Sequence, residues 1–465
     1  MSEKSEKSNL EQKQSKILDK LSEIIGKKLP HLDEKGLPAF GFKSEGNNVI
    51  GLWLAQCELK IFPTPVIKLD SLRELYLSYN SLASLPESIT NLKSLEILNL
   101  KENDLSSLPE SFGNLSSLRE LKLNSNKLTT LPSSFGNLTS LQELKLNNNR
   151  ISKFPKSFSN LKGLKKLYLN GNQLDSFPEI LMKINSLTEL NLENNSITSL
   201  PMKISTLKSL KTLSLAKNNL RSLPDTILKP IFEIEKLRTL DFSHNNLKNL
   251  PEIIGGLSKL EILRLRKNEL NTLPDSFRKL KSLISLDLSD NDFLTIPEPL
   301  FELKQLQRLY LENNKIKELS ESFGNLRSLK QLYLENNDLE SLPVSFSKLR
   351  MLKELFIVSN QLSSLPESIG DLKQLQILDL RQNKLSSLPE STRNLQKLQE
   401  LDLRYNQFKA IPSTIKDLNL KQYFLKLDEN PLDVKATQAT VGGIKAIQEF
   451  LRNKDKLKRM LKKNS

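Results

Sequence analysis

Hydrophobic and polar positions along this chain recur on a fixed beat. Residues 72–94, LRELYLSYNSLASLPESITNLKS, are followed by LEILNLKENDLSSLPESFGNLSS, and blocks of this form continue to about residue 430. The block reads L-x-x-L-x-L-x-x-N-x-L-x-x-L-P-x-x-F/I-x-x-L-x-x. In the copy that opens at Leu72 the fixed positions are Leu72, Leu75, Leu77, Asn80, Leu82, Leu85, Pro86, Ile89 and Leu92. The asparagine returns every 23 residues at Asn80, Asn103, Asn126, Asn149, Asn172, Asn195 and Asn218. It resumes at Asn245, Asn268, Asn291, Asn314, Asn337, Asn360, Asn383 and Asn406, with Asn430 after 24 residues. Cys57 takes the same slot one period before Asn80, which makes seventeen units, sixteen with asparagine.

Each position has a physical reading. The L-x-L alternation predicts a short strand with one face inward, and successive strands can pair in parallel. The asparagine follows the strand, where the chain turns out of the sheet. Its amide carries donors and an acceptor, so a buried ladder of such side chains can satisfy backbone groups of its own loop and of the next unit. The Leu-Pro pair ends the stretch that follows, because proline lacks an N–H and fixes φ. Phe112, Phe135, Phe158, Phe277, Phe323 and Phe346 then fill the outer side. No unit can bury its leucines alone, so stability must come from stacked neighbours.

The flanks and irregularities divide the chain. Residues 1–8 are charged and polar and are expected to be a disordered tail. Residues 9–48 read as an N-terminal cap. In it, Leu10, Ile17, Leu21, Ile24 and Ile25 have helical spacing before Gly26, and two strands flank a turn at Glu45–Asn48. The first of these strands, from Ala39, is expected to run antiparallel to the first repeat strand and protect its edge. The repeats occupy 49–432. One interval, Asn218 to Asn245, is 27 residues, with the surplus in LKPIFEIEK, 228–236; it is expected to bulge outward. Ser320 replaces the proline once, and Thr392 replaces the F/I residue once. Residues 433–465 read as a C-terminal helical cap, with a helix from about residue 441, a stripe of Ile444, Ile447 and Leu451, and a basic tail.

Composition narrows the function. At 465 residues the chain exceeds one ordinary domain, but a stack of repeats grows without a larger core. At about 4.8 Å per strand the inner face would run about 80 Å. One cysteine excludes a disulfide framework. The N-terminus is polar and no run of apolar residues reaches membrane-spanning length, so a cytoplasmic location is expected. The net charge is +15, and residues 432–465 contribute nine basic against three acidic residues. Catalytic constellations are missing. The two histidines, His31 and His244, lie far apart in sequence, no phosphate-cradling glycine loop occurs, and Cys57 fills a structural slot. The sequence therefore predicts no enzyme, no cofactor and no metal.

What remains is surface. Residues between and beside the strand leucines face the open side of the sheet. In that column Tyr310, Tyr333 and Phe356 fall in consecutive units, with Val358 beside them and Arg264, Arg266, Arg308, Glu312 and Glu335 as flanking charges. Exposed aromatics in a row mark interfaces, so these nine residues are the candidate partner-binding site.

The repeat unit resembles the 23-residue class of leucine-rich repeats found in intracellular scaffolds of the Ras-suppressor type, over residues 49–432. The resemblance implies an α/β fold: a leucine-rich repeat solenoid bent into an arc, with a parallel β-sheet on the concave face, short 3₁₀ or irregular turns outside and helical caps at both ends. It implies a monomeric, non-catalytic scaffold for protein–protein interaction in signal transduction, with a small GTPase or another signalling protein as partner. The alternative is a basic-surface binder of anionic membrane or nucleic acid. Nucleic acid is disfavoured, and peripheral membrane contact would use the basic tail.

Overall fold

The computed structural model describes residues 12–32, 40–223, 225–421 and 424–463. The expectations for residues 1–8, Leu10 and Ala39 lie outside what is described. The chain divides into two compact units. The first runs through Leu220 and takes up Pro230–Leu237; the second comprises Arg221–Lys229 and the chain from Arg238 onward. The sequence treats 49–432 as one array, whereas the division falls at the irregular interval between Asn218 and Asn245.

In the first unit, helix α1 (Gln12–Ile25) buries Ile17, Leu18 and Leu21. Ile24 is exposed, so the apolar face is narrower than its spacing suggests. A buried polar residue fixes the helix in place. Gln14 Nε2 donates to Asn48 Oδ1 at 2.8 Å, and its Oε1 accepts from the Val49 N–H. Gly26 ends the helix at φ 71°, a left-handed value that suits glycine. Strand β1 (Phe40–Glu45) pairs antiparallel with β2 (Asn48–Leu54). From β2 onward the ladder is parallel, through three-residue strands β3 to β9, the first Glu74–Tyr76 and the last Thr212–Ser214. β1 therefore covers the edge that β2 would otherwise leave open.

The second unit repeats the plan with β10 (Thr239–Asp241) to β18 (Leu425–Lys426), parallel throughout. Each step of the ladder pairs residues 23 apart, as in Tyr310 with Tyr333, except the last, where Asp402 pairs with Lys426, 24 apart. Between strands the chain makes a five-residue 3₁₀ turn, such as Glu110–Asn114 or Val344–Lys348. Proline precedes most of these turns at φ near its fixed value, for example Pro132 at −64°, where a missing N–H costs nothing. Ser320 adopts the same backbone, φ −69° and ψ 159°, without a ring. In place of this turn the irregular interval holds helix α2 (Asp225–Phe232), with Pro230 inside it.

Two buried columns hold the stacks together. On the outer side Phe112, Phe135 and Phe158 lie face to face at 6.1 and 6.0 Å between centroids, and Phe323 and Phe346 at 5.7 Å. Thr392 occupies the same slot, 1% exposed, with a hydroxyl that finds no hydrogen-bond partner. The second column is the asparagine ladder. Asn126 Nδ2 donates to Leu100 O and Leu123 O, both at 3.0 Å, and the Leu105 N–H donates to its Oδ1 at 3.0 Å. The bonds reach the asparagine's own loop and the preceding unit, Leu100 and Leu105. This corrects the expected forward direction. It also explains Cys57, whose own N–H is satisfied by Asn80 Oδ1 of the following unit, at 3.0 Å.

The C-terminal helix begins earlier than the sequence suggests, because Asp433 caps α3 (Val434–Val441) by accepting from the Ala436 N–H. Gly443, at φ 69°, breaks it from α4 (Gly443–Lys463). Ile444, Ile447 and Leu451 are buried. Gln448 Nε2 donates to Leu418 O at 3.2 Å, and Lys416 pairs with Asp455, so α4 lies against the last 3₁₀ turn.

Candidate functional site

The candidate site lies on the second unit, on strands β13 (Arg308–Tyr310), β14 (Gln331–Tyr333), β15 (Glu354–Phe356) and β16 (Ile377–Asp379). In-register parallel pairing sets Tyr310, Tyr333, Phe356 and Asp379 side by side. Strand spacing is about 4.8 Å, so flat side chains at this position must stack. Tyr310 and Tyr333 lie 4.7 Å apart at 10°, and Tyr333 and Phe356 lie 4.9 Å apart at 5°. The sequence suggests three exposed rings. Stacking makes each of them half-buried instead, and together they form a continuous aromatic shelf.

Two residues further along each strand runs a parallel row: Ser289, Glu312, Glu335, Val358 and Arg381. Backbone bonds from Asn313 N to Glu335 O and from Asn336 N to Val358 O, both 2.9 Å, keep this row in step with the shelf. On the other flank stand Arg308, Gln331 and Glu354. Gln331 Nε2 donates to Glu354 Oε2 at 2.7 Å, and the Tyr333 hydroxyl donates to the same oxygen at 3.4 Å. Burial, then the Glu354 charge, pushes the Tyr333 hydroxyl up to about 12.

The structure thus brings together Tyr310, Tyr333, Phe356, Val358, Arg308, Glu312 and Glu335. Arg264 and Arg266 lie outside this group. Arg264 is on β11 (Ile262–Arg264), two strands before Tyr310, and faces Asp241 at 4.0 Å. Arg266 Nε donates to Asp290 Oδ2 at 2.7 Å. At the other end, Arg381 grips Asp379 through Nε and a terminal nitrogen at 2.7–3.0 Å, and Arg404 does the same to Asp402. Sequence reasoning did not single out this network, although its signal is the repeated Asp-Leu-Arg at 379–381 and 402–404.

Glu312 and Glu335 are the unusual groups. One carboxyl oxygen of each is shut off from solvent without a hydrogen-bond partner. Burial, reinforced for Glu312 by the charges of Glu335 and Asp287, pushes its pKa up to about 7, against its own N–H and Arg266. Burial, with the Asp379 charge, raises Glu335 to about 7 as well, against hydrogen bonds from its own N–H and from Leu334 and the opposing charge of Arg381. Unfolded, both would titrate near 4.5. A raised carboxyl favours the folded state most at pH below the unfolded value, and the contribution is lost as pH rises through 7. The second unit should therefore lose roughly 1–2 kcal/mol of stability between about pH 4.5 and pH 7, after discounting for solvent screening of half-exposed groups. Asp287, also raised by burial, adds in the same direction. Glu252 and Glu321, whose pKa values are lowered, stay ionised over this range. Urea melts of wild type and of Glu312→Gln with Glu335→Gln would check this. The double variant should melt with a much flatter pH dependence.

Among the described residues no cluster of His, Cys, Asp and Glu could hold a metal ion, and no helix is long and apolar enough to cross a membrane. His31 forms an isolated parallel bridge with Phe42 of β1, its Nε2 2.9 Å from Ser44 Oγ, and His244 sits at φ 57° in a turn.

Comparison with known proteins decides the family. The leucine-rich repeat region family matches residues 52–185, and two further leucine-rich repeat families match 186–207 and, in overlapping segments, 235–432. A leucine-rich repeat protein of Leptospira interrogans superposes with a TM-score of 0.69 at 35% identity, over 83% of this chain and 92% of that one. The chain belongs to the leucine-rich repeat family. A second similar structure of this family is the plant peptide hormone receptor RGFR1 in complex with RGF2. Its TM-score is 0.59 at 30% identity, over 82% of this chain and 67% of that one. The Drosophila Toll–Spatzle complex shares the fold at 24% identity and a TM-score of 0.65, over 81% of this chain and 52% of that one. No curated protein matches the sequence.

Proposed function

We propose that this leucine-rich repeat protein is a non-catalytic scaffold that binds a protein partner on the sheet face of its second unit. The observation that carries the reading is the Tyr310–Tyr333–Phe356 shelf. Its rings lie on an otherwise polar face, and large rigid side chains of this kind anchor interfaces at low entropic cost. The receptor RGFR1, similar over most of this chain, was solved with a bound RGF2, which supports a binding role. A small GTPase or another signalling protein in the cytoplasm is the partner class to try first, with the chain acting as a monomer.

The membrane alternative rests on α4, where Lys445, Arg452, Lys456 and Arg459 line a shallow cleft with Lys416. Of its described apolar residues, Ile444, Ile447 and Leu451 are buried and Met460 is exposed, so attraction to a membrane would be largely electrostatic, and that term fades with salt.

The test is capture of partners from the native cell by wild type and by the Tyr310→Ala, Tyr333→Ala, Phe356→Ala triple variant, followed by titration with the purified partner. The variant should bind at least about tenfold more weakly, as expected when anchors are truncated, and wild-type affinity should change little with salt. Equal binding by the two proteins would remove the shelf from the interface. A steep loss of affinity with salt would favour the basic helix.

A further inference from the structure

The charges around the shelf say what a partner should bring. In the first unit, two of the aromatic side chains on the same face have one of the chain's own cations over them, while Tyr76 stacks on Trp53 at 5.2 Å. Lys43 Nζ lies 5.6 Å from the Trp53 ring centre, and Lys145 Nζ lies 5.4 Å from that of Tyr168. In the second unit, among the described residues, no cation lies over Tyr310, Tyr333 or Phe356. The neighbouring row holds two carboxyls, Glu312 and Glu335, each with a buried oxygen that finds no hydrogen-bond partner among the described residues. The nearest guanidinium groups are committed elsewhere, Arg266 to Asp290 and Arg381 to Asp379. On the far flank stand Arg308, whose charge reaches Tyr310, and Glu354, which accepts from Gln331 and Tyr333. The shelf thus presents bare aromatic faces beside acids that no cation pairs.

We infer that the partner seats a basic side chain, arginine or lysine, on the Tyr310–Tyr333–Phe356 shelf, with its charged end at Glu312 and Glu335. This rests on the protein-binding reading above and adds the chemistry of the ligand. An aliphatic stem covers ring surface, the cation is attracted to ring faces, and a guanidinium or ammonium brings opposite charge to two carboxyls that no described cation pairs. An acidic segment would meet like charge and leave the carboxyl oxygens unpartnered. The cation would also favour the ionised acids, so binding should release protons near neutral pH. The groups facing them supply only part of that charge: Arg266 and Arg381 act on the two acids while paired with Asp290 and Asp379, and Asp287 and Asp379 add like charge.

The experiment selects a randomised displayed peptide library on the full chain and measures a synthetic peptide from the enriched pool. Enriched peptides should carry an arginine or lysine at a fixed place. Replacing that residue with citrulline or norleucine should weaken binding about tenfold or more, the scale of one charge-assisted hydrogen bond. Glu312→Gln with Glu335→Gln should weaken the original peptide by a similar factor. Wild-type affinity should rise from pH 6 to pH 8, and the double variant's should not. If enriched peptides need the three rings but no basic residue, and bind the glutamine variant equally well, this inference falls and the protein-binding reading stands. If no peptide depends on the rings, both fall.

Discussion

Asn337→Ala should cost the second unit roughly 2 kcal/mol. Asn337 is 5% exposed. Its Nδ2 donates to Leu311 O at 2.9 Å and Leu334 O at 3.1 Å, and the Ile316 N–H donates to its Oδ1 at 3.0 Å. Alanine strips the buried Ile316 N–H of its acceptor, at about 1–3 kcal/mol, and removes one of two amide donors from each carbonyl, since Leu311 O keeps Asn314 and Leu334 O keeps Asn360. Leu311 and Leu334 precede Glu312 and Glu335, so the same substitution loosens the turns that hold the two acids beside the shelf. Urea denaturation followed by circular dichroism gives the stability. A loss below about 1 kcal/mol would mean that the ladder is not what stabilises these turns.

Phe346→Ala should cost about 3–5 kcal/mol, the usual range for removing a buried phenyl ring. Phe346 is 1% exposed and stacks on Phe323 at 5.7 Å and 9°. The two chemistries differ in reach. A lost amide leaves unsatisfied polar groups within one turn, whereas a lost ring leaves a void that neighbouring turns share. Because stability in such stacks is a sum of nearest-neighbour terms, hydrogen exchange should quicken in β13 to β15. It should stay unchanged in β5 (Glu120–Lys122) and β6 (Glu143–Lys145). Uniform acceleration along the chain would contradict this locality. Thr392 shows that the slot tolerates a smaller residue once, at the expense of an unpartnered hydroxyl.

Much of this was legible before any coordinates, because one short period constrains every unit at once. The leucines, the proline and the ladder asparagine each answer a local physical need, and repetition turns weak propensities into a firm pattern. The direction of the asparagine bonds was not legible, since a side chain with donors and an acceptor suits either neighbour. Helix α3 was missed because KATQAT offers little apolar periodicity, and its start depends on the Asp433 cap. The aromatic row was legible as an alignment at one period. Its half-buried state was not, because it depends on rings covering each other across strands. The unpaired state of Glu312 and Glu335 also stayed hidden. On the page they look like any surface glutamate, and only the commitments of Arg266 and Arg381 to other acids reveal them.

The register that pairs Tyr310 with Tyr333 and Tyr333 with Phe356 has one more implication. Because face residues and core residues are counted on the same period, excising one full repeat between Tyr310 and Phe356 would splice those two rings into direct contact and keep the interior in phase. Excising one residue fewer would turn leucines outward. Such a chain can gain or lose whole words of its surface text by recombination, while any misspelling in length damages the binding of the book.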